Sequence, residues 1–413
     1  MKMTRFIILL LFVVTGCKGN NLMWQEKGTI FQNIVPGVDG DMLVDQNESI
    51  YIFDPVAPAN IQFKPNNGPA DEYKPEFTEE WMNNVRECSN RETVRLFRTS
   101  VDSDPSLLFS KYGQNGYWWT SKDIRTIYIL VEWFDATKET PEPAYLTFWK
   151  STNKGVDFKK IDWNNHLLGR GRSIGMYFDK EGVNGYIFVD KNTLWQTSDK
   201  GETWRKVYIP HTDAKKRLPY MEEAIDTATV DEQGNLLFAL FKEGKTLIYQ
   251  IPATNKETDL SQLDPKYQIP NKRLLSMSSV KDSKGGLYLF YINCEDEQCT
   301  WYTDVEEKYK GKKNQPLRFT YFEGGKYTND QSLGFFLPVK KVYSDEYGKI
   351  AVTLEQPNKP YYALLLSSNY GKTWVAEELT STNVVSDYVD LKHNQYWQNR
   401  MFNKVYMAKD IFK

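Results

Sequence analysis

The sequence predicts an all-β protein, a six-bladed β-propeller that follows an export signal. Aromatic residues make up 15% of the 413 residues and hydrophobic residues 40%. This composition excludes disordered and collagen-like chains, and stretches rich in aromatic and β-branched residues favour strands over helices. An acidic or polar turn followed by an apolar strand recurs six times, and a second turn motif recurs three times in step with it.

The N-terminal segment predicts a lipoprotein signal peptide over residues 1–16. A positively charged start precedes an apolar run over residues 6–14. That run is long enough for an export signal but far shorter than the roughly 20 residues of a membrane span. It ends in Val14-Thr15-Gly16-Cys17, which resembles the bacterial lipobox.

The lipobox resemblance implies that Cys17 is lipidated and becomes the mature N-terminus. Lys18, which follows it, implies the outer membrane rather than the inner membrane. We therefore expect residues 17–23 to be a tether, and the protein to be lipid-anchored to the outer membrane on its periplasmic side. An ordinary cleaved signal with a coincidental cysteine is the alternative.

The six acidic or polar turns set the expected number of blades. Their aspartates are 78, 56, 52, 51 and 63 residues apart, close to the roughly 50 residues of a long four-stranded blade except for the first interval. Six turns predict six blades in one propeller domain over residues 24–413. The aspartates are Asp45, Asp123, Asp179, Asp231, Asp282 and Asp345.

The long first interval predicts an insertion at about 54–109 in the first blade, with a short helix over 78–88. Strand-like segments stand at the two ends of the domain, over residues 24–31 and 405–407. These segments predict that the ring closes by pairing the two termini in one blade.

The second motif has the pattern Ser/Thr-x-Asp-x-Gly-x-Thr-Trp. Residues 197–204 match every fixed position, residues 367–374 have Asn for Asp, and residues 151–158 are a decayed copy. Asp or Asn can accept N–H bonds inside its own turn, Gly takes a positive φ, and the closing aromatic ring packs between strands. The turn residues are Ser151, Asn153, Gly155, Phe158, Thr197, Asp199, Gly201, Thr203, Trp204, Ser367, Asn369, Gly371, Thr373 and Trp374.

This pattern is that of the Asp-box, or BNR repeat, and over residues 110–380 the chain resembles the sialidase-like Asp-box β-propellers. The resemblance implies a fold rather than an activity, because Asp-boxes lie on the outer rim, away from the central pocket. The fourth and fifth blades lack a readable box. We expect divergent rim loops over residues 252–265 and 303–317 where the boxes would stand.

For an exo-sialidase, the resemblance implies three arginines that grip the sugar carboxylate, a tyrosine nucleophile paired with a glutamate, and an aspartate acid/base. Arg98 stands near the place of the first arginine but lacks the Ile-Pro that follows it in the family. Arg172 and Arg318 are the candidates for the other two. The alternative is that all three are ordinary solvated or ion-paired side chains, and no tyrosine is distinguished by its spacing. An enzyme is therefore disfavoured.

Two further patterns carry little catalytic signal. Residues 171–175 spell the G-x-S-x-G of a nucleophile elbow, but a strand-like segment follows where that motif needs a helix. The three histidines, His166, His211 and His393, belong to no visible catalytic triad.

The cysteines predict one local disulfide. Cys294 and Cys299 follow a strand-like run and would pair in an oxidising compartment, while the state of Cys88 is open. A zinc site would need two more ligands, so neither a metal nor another cofactor is expected.

The preferred functional prediction is a non-enzymatic, periplasm-facing lipoprotein that binds a protein partner. With 52 basic and 54 acidic side chains, the protein has almost no net charge, so no overall electrostatic attraction would draw nucleic acid to it. Leader and scaffold together are similar to the immunity lipoproteins that neutralise type VI secretion effectors, in particular phospholipases. The alternatives are an exo-sialidase acting on sialylated glycans and an assembly factor. Candidate aromatic anchors are Tyr117, Trp118, Trp119, Tyr220, Tyr361, Tyr362, Tyr396 and Trp397.

Overall fold

The structure is a computed structural model. It describes residues 24–29, 41–58, 92–100, 103, 105–113, 115–133, 145–161, 175–190, 193–210, 225–280, 285–294, 316–335, 339–355, 362–378, 384–400 and 404–412. Within these ranges no helix is long and apolar enough to cross a membrane. The signal peptide, the tether and Cys17 lie outside the described residues.

The described residues form twenty-eight strands in seven four-stranded antiparallel sheets. We number the sheets as blades 1 to 7. Blade 1 contains β2 (Asp41–Val44), β3 (Ile50–Pro58), β4 (Glu92–Thr99) and β5 (Ser106–Tyr112). Blade 2 contains β6 (Asn115–Thr120), β7 (Ile127–Trp133), β8 (Tyr145–Ser151) and β9 (Lys159–Ile161). Blade 3 contains β10 (Gly175–Phe178), β11 (Gly185–Asp190), β12 (Thr193–Thr197) and β13 (Arg205–Tyr208).

The remaining blades follow the same order from the innermost strand outward. Blade 4 contains β14 (Thr227–Val230), β15 (Leu236–Lys242), β16 (Lys245–Ile251) and β17 (Tyr267–Pro270). Blade 5 contains β18 (Lys272–Ser279), β19 (Leu287–Asn293), β20 (Arg318–Glu323) and β21 (Lys326–Ser332). Blade 6 contains β22 (Val339–Ser344), β23 (Ile350–Glu355), β24 (Tyr362–Ser367) and β25 (Val375–Glu378). Blade 7 contains β26 (Val384–Asp390), β27 (Gln395–Arg400), β28 (Lys404–Lys409) and β1 (Trp24–Thr29).

The strands are apolar on both faces because each blade is packed between two others. In β11, Tyr186 and Phe188 face blade 4, whereas Ile187 and Val189 face blade 2. Successive side chains of a strand point to opposite faces, so a sheet covered on both sides needs a continuous apolar run. The described residues contain seven such hydrophobic clusters, one between each pair of neighbouring blades.

The ring closes as predicted, by pairing the termini. β1 is the outermost strand of blade 7 and pairs antiparallel with β28, with Trp24 opposite Ala408. On its other side blade 7 packs against blade 1, where Trp397 and Met407 are buried with Ile50 and Phe97. The two ends of the chain therefore meet in one blade, and no gap is left between blades 7 and 1.

The prediction of six blades was wrong, because blade 7 was missed. Its first turn, between β26 and β27, is one residue longer than the turns at Asp231 and Asp345 but is also held by an aspartate: the Asp390 carboxylate accepts the N–H groups of Lys392 and His393 at 3.0 and 3.1 Å. Asn394 takes a positive φ of 54° in this turn. Asn tolerates this conformation as glycine does, so the Asp-x-x-Gly signal is missing while the turn is present.

Two other expectations need correction. The insertion is shorter than 54–109, because residues 54–58, 92–99 and 106–112 belong to the strands of blade 1, which leaves the link over 59–91 as the extra length. Residues 303–317 lie between the second and third strands of blade 5, not where a box would stand. In that blade a tight turn through Gly324 and Gly325 joins the third strand to the outermost one. Polar composition alone does not reveal which pair of strands a loop joins.

The expected rim loop of blade 4 is where it was predicted, between β16 and β17, and it pairs with blade 3. Tyr208 in β13 donates its N–H to the Thr258 carbonyl at 2.8 Å, and Leu260 donates to the Tyr208 carbonyl at 2.7 Å. The Arg205 guanidinium also donates to the Glu257 carbonyl at 2.8 Å. The loop covers the outer edge of blade 3, which would otherwise expose unpaired backbone groups.

Candidate functional site

The ring has two different faces. Within each antiparallel blade, the first-to-second and third-to-fourth links lie at one end, here called the turn face. The second-to-third links and the links between blades lie at the other end, here called the connection face. Bonds between links on the turn face include Lys200 N–H to the Val183 carbonyl at 3.1 Å and Tyr370 N–H to the Gly348 carbonyl at 2.9 Å.

The connection face carries most of the chain that the strands do not use. The segments that begin and end there outside the described residues include 30–40, 59–91, 134–144, 162–174, 211–224 and 295–315. On the turn face, most described links are short turns held by their own aspartates and glycines, and the loop over 252–266 in blade 4 is the long exception. Most of the long links therefore begin and end on the connection face. The inner strands that open onto this face form its mouth.

An ion pair joins non-adjacent blades at this mouth. Asp41 is the first residue of β2 in blade 1, and its carboxylate accepts a bond from the Trp118 indole N–H of blade 2 at 2.6 Å. The Lys341 ammonium of blade 6 contacts the other carboxylate oxygen. Blade 7 lies between blades 6 and 1, so this pair crosses the inside of the ring. One carboxylate therefore ties three inner strands together.

Two further ion pairs join neighbouring blades. Arg273, at the start of β18, donates from Nε and Nη2 to Oδ1 of Asp226, just before β14, at 3.1 and 2.8 Å. The Lys340 ammonium of β22 lies 3.7 Å from the carboxylate of Asp387 in β26, which is fully buried. Each of these cations faces a carboxylate of the adjacent blade, so the charges at the mouth are compensated within the protein.

A tyrosine beside these pairs stays protonated. Burial, reinforced by the negative charge of Asp387, raises the pKa of Tyr343 well above its ordinary value. The ring of Tyr343 also packs edge-on against Tyr388, with 6.0 Å between ring centroids. A neutral, buried hydroxyl is a poor nucleophile, so Tyr343 is better suited to a structural role.

A second polar cluster lies in blade 5, toward the connection face. Arg318 donates to Asp330 at 2.8 Å, and Lys272 contacts the same carboxylate at 3.1 Å and the Tyr291 hydroxyl at 2.7 Å. The Tyr291 hydroxyl donates to Asp330. Burial alone would raise the pKa of Asp330, but the bonds from Tyr291, Arg318 and Lys272 outweigh it and hold that pKa below its ordinary value. Burial raises the pKa of Tyr291.

The three arginines proposed to grip a sugar carboxylate are not brought together. Arg98 lies near the turn-face end of β4 in blade 1, where it pairs in register with Tyr51. Arg318 lies nearer the connection face of blade 5, bound to Asp330. Arg172 lies outside the described residues. A clamp on one carboxylate needs guanidinium groups that converge, and Arg98 and Arg318 stand in different blades near opposite faces.

The residues of the second motif form three equivalent turns, at 151–158, 197–204 and 367–374, here called the rim turns. Each joins the third strand to the outermost strand, in blades 2, 3 and 6. In each, the first hydroxyl accepts the glycine N–H, at 2.9, 3.1 and 2.9 Å. The Asp or Asn side chain accepts the N–H four residues on, at 3.2, 2.9 and 2.9 Å. One polar frame is therefore built three times.

The closing aromatic of each rim turn packs against the preceding blade. Phe158 lies 5.0 Å from Phe109, Trp204 lies 5.1 Å from Phe148, and Trp374 lies 5.0 Å from Phe319, measured between ring centroids. The two indole N–H groups donate to the glycine carbonyls of their own turns at 3.1 and 3.0 Å. The rim turns therefore join neighbouring blades at the periphery.

Other residues singled out in the sequence have structural surroundings. His393 is exposed on the turn face, 2.6 Å from Asp390; His166 and His211 lie outside the described residues. Gly175, the end of the G-x-S-x-G pattern, begins strand β10 rather than a helix. Within the described ranges, no group of His, Cys, Asp and Glu could hold a metal ion. Cys294 is disulfide-bonded; Cys299 and Cys88 lie outside the described residues, so the predicted pairing stays a prediction.

The candidate aromatic anchors that the structure describes are mostly packed inside the ring. Trp397 and Tyr396 are each 1% exposed. Trp118 stacks on Phe53 and Trp119 on Tyr128, with centroid distances of 5.4 and 5.2 Å. Tyr220 and Tyr361 lie outside the described residues. These rings contribute to the interfaces between blades instead of forming an exposed patch.

The residues at the mouth were missed by sequence reasoning. Asp41 and Lys341 are 300 positions apart, and no local pattern marks them as partners. The one available signal was weak: Lys272-Arg273 and Lys340-Lys341 place charges at the start of otherwise apolar or small-residue strands. Charges that begin an innermost strand point to the mouth only once the blade order is known.

No family model matches the chain, and no curated protein matches it. Among solved structures it is similar to YCF48 bound to a D1 peptide, with 10% identity over 77% of this chain and 88% of that one, and a TM-score of 0.43. It is also similar to the GH74 enzyme of Niastella koreensis (15% identity, 72% and 45% covered, TM-score 0.43). A third is an inactive virginiamycin B lyase from Staphylococcus aureus with quinupristin (11% identity, 94% and 99% covered, TM-score 0.47). At such identities and TM-scores these likenesses assign no activity, and the propeller fold rests on the sheet topology above.

Proposed function

We propose that the protein is a non-enzymatic lipoprotein of the bacterial cell envelope that binds a protein partner through its connection face. The observation that carries the proposal is the difference between the two faces. Most links of the turn face are short turns, apart from the loop over 252–266, whereas the long segments 30–40, 59–91, 162–174 and 295–315 begin and end on the connection face, which has an ion-paired mouth. Binding residues are commonly placed on loops that a rigid scaffold positions.

The state of the charges at the mouth supports binding over catalysis. Asp41, Asp226 and Asp387 each face a cation from another blade. A catalytic carboxylate must reach the reacting atoms of a substrate, whereas each of these three contacts a cation of the protein itself. The mouth therefore serves better as a rigid base for the loops around it than as a reaction centre.

For the partner we propose a secreted toxin, specifically a phospholipase effector of a type VI secretion system that this protein neutralises as an immunity protein. The support is the lipobox leader ending in Cys17, which would hold the protein in the periplasm where such an effector acts. A broad, loop-bearing face suits the capture of a folded protein, because about 800 Å² per partner is buried in a standard interface.

The test uses the full-length protein and the phospholipase encoded beside it. Lys245 and Lys372 are both exposed lysines, the first on the connection face and the second on the turn face. In each of two variants, a clickable amino acid replaces one of these lysines and is coupled to a polyethylene glycol chain. We expect the chain at position 245 to prevent the complex and the chain at position 372 to leave it intact.

Two outcomes would contradict this proposal. A complex blocked from position 372 but not from position 245 would place the partner on the wrong face. A strain that lacks this protein and still survives the phospholipase in its periplasm would show that the protein does not neutralise it.

A further inference from the structure

The register of β1 fixes where the N-terminal tether leaves the propeller. Trp24 pairs with Ala408 in β28. Gln395, the first residue after the turn that joins β26 and β27, pairs with Lys409. Since that turn lies on the turn face, Ala408 marks the turn-face end of β28. The chain therefore enters β1 at the turn face, on the outer edge of blade 7.

We propose that the turn face rests on the lipid surface and that the connection face points away from it. This orientation depends on the proposed lipidation of Cys17. Seven residue steps separate Cys17 from Trp24, so the tether reaches at most about 25 Å. A seven-residue strand such as β7 is itself about 23 Å long. If the connection face contacted the membrane instead, the tether would have to extend almost fully along the whole length of a blade.

Exposed apolar side chains give independent support for this orientation. Among the described residues, five large hydrophobic side chains are exposed, and four of them lie in or beside turns of the turn face. Tyr347 and Val156 are each 74% exposed. A tyrosine ring suits the boundary of lipid and water, because its body is apolar and its hydroxyl is polar. The four are Val156, Tyr327, Tyr347 and Tyr370.

Two of these tyrosines are held in place by the turns of blade 6. Tyr370 donates its N–H to the Gly348 carbonyl at 2.9 Å and its hydroxyl to the Glu346 carbonyl at 3.2 Å. Tyr347 donates its N–H to the Asp345 carboxylate at 3.0 Å. Side chains and turns that are already ordered lose little freedom on contact, which favours their use as a lipid-facing surface.

The contact we infer is apolar rather than electrostatic. The turn face carries charges of both signs, and two of its cations are paired with carboxylates there: Lys150 lies 2.5 Å from Glu202, and Lys180 lies 3.0 Å from Glu232. A face of mixed charge has no strong preference for anionic headgroups. The orientation should therefore hold on zwitterionic phosphatidylcholine and at high salt.

The experiment measures energy transfer from a dye on the lipidated, full-length protein to an acceptor lipid in phosphatidylcholine vesicles, without any partner. The dye is attached through a clickable residue in place of Lys372 on the turn face or Lys245 on the connection face. We expect strong transfer from position 372 and weak transfer from position 245. Equal transfer, or stronger transfer from position 245, would overturn the proposed orientation.

A matched pair of variants tests the tyrosines. The double substitution Tyr347→Ser and Tyr370→Ser is expected to lower the transfer from position 372, whereas Tyr208→Ser, at the opposite end of blade 3, is expected to leave it unchanged. Unchanged transfer in the double variant would refute the tyrosine contact.

Failure of the orientation can be told apart from failure of the lipidation. The mass of the mature N-terminus reports whether Cys17 carries lipid. If it does not, the same dye pair is measured on protein ligated enzymatically to a lipid at position 17. Stronger transfer from position 372 in that material would uphold the geometry, and stronger transfer from position 245 would overturn it.

Discussion

Gly201 shows how much of a rim turn depends on a single residue. Its φ is 76°, in the region that L-residues with a side chain rarely adopt. A Cβ added to it would also lie 2.8 Å from the ring of Phe148 in the preceding blade. Gly325 has a similar φ of 82°, but nothing lies within 4 Å of the added atom. The two glycines differ in packing and not in conformation.

Gly201→Ala is therefore expected to destabilise the protein more than Gly325→Ala. The backbone strain of a positive φ costs about 1 kcal/mol or more at either site, and overpacking against Phe148 adds roughly 1–3 kcal/mol at position 201 alone. Chemical denaturation of the two variants measures the difference. Equal losses of stability would show that packing against Phe148 adds no further cost at position 201.

Asp199 holds its rim turn with a carboxylate where the turn of blade 6 uses Asn369. Burial alone would raise the pKa of Asp199, but hydrogen bonds from Thr203, Thr197 and backbone N–H groups outweigh it and lower that pKa. The unfolded chain therefore takes up the proton first as the pH falls. Stability from this group is present above its ordinary pKa of 3.8 and is lost as the pH drops through the lower, folded value.

Asp199→Asn should remove this pH dependence with little loss at neutral pH, because Asn369 already supports the same frame. We expect a cost under about 1 kcal/mol at pH 7 that shrinks below about pH 4. Melting temperatures of the two proteins from pH 3 to pH 7 test this. The reciprocal variant Asn369→Asp should gain an acid-sensitive contribution, and a pH-independent difference in both would contradict the argument.

At the residue scale, the sequence predicted turns well and distant partners not at all. Ser151, Asn153 and Gly155 could be assigned to a turn because their bonds close within four residues. Asp41 and Lys341 could not be paired, because their contact depends on the order of the blades around the ring.

At the scale of elements, strand positions followed from apolar runs bounded by turns. As predicted, apolar strands follow the turns at Asp179, Asp231 and Asp345, where they are β11, β15 and β23, and the strands that lead into the three rim turns are β8, β12 and β24. The missed element was the turn at Asp390, where the positive φ is taken by Asn394, four residues after the aspartate, instead of by a glycine three residues after it. The number of blades was wrong by one for that reason.

β1 is the strand that closes the ring, so its removal is expected to destabilise the whole fold. It covers β28, whose outer backbone groups would otherwise form an open edge. A chain that begins at residue 30 is expected to melt several degrees lower and to aggregate, since each 1 kcal/mol shifts the melting temperature by about 2–4 °C or somewhat less in a protein of this size.

The matched control is a chain that begins at residue 22, which lacks most of the tether but keeps β1. Differential scanning calorimetry and light scattering compare the two. If both chains melt at the same temperature and stay monomeric, the terminal strand does not close the ring.

For the whole molecule, composition and repeats predicted a propeller but not the roles of its faces. Both faces are assembled from polar links, so composition does not separate them. The separation comes from the antiparallel order of the strands, which places the rim turns on one face and the links between blades on the other. The same order places Trp24, where β1 begins, at the turn face. We therefore propose that partner binding and membrane anchoring use opposite ends of the ring.

The most direct measurement is hydrogen exchange of the full-length protein, alone and in complex with the phospholipase that we propose as its partner. Slower exchange is expected where inner strands open onto the connection face, at residues 271–275 and 339–342. Exchange in the turn-face links over 179–184 and 197–204 is expected to stay unchanged. Protection confined to those turn-face links would contradict the assignment of partner binding to the connection face.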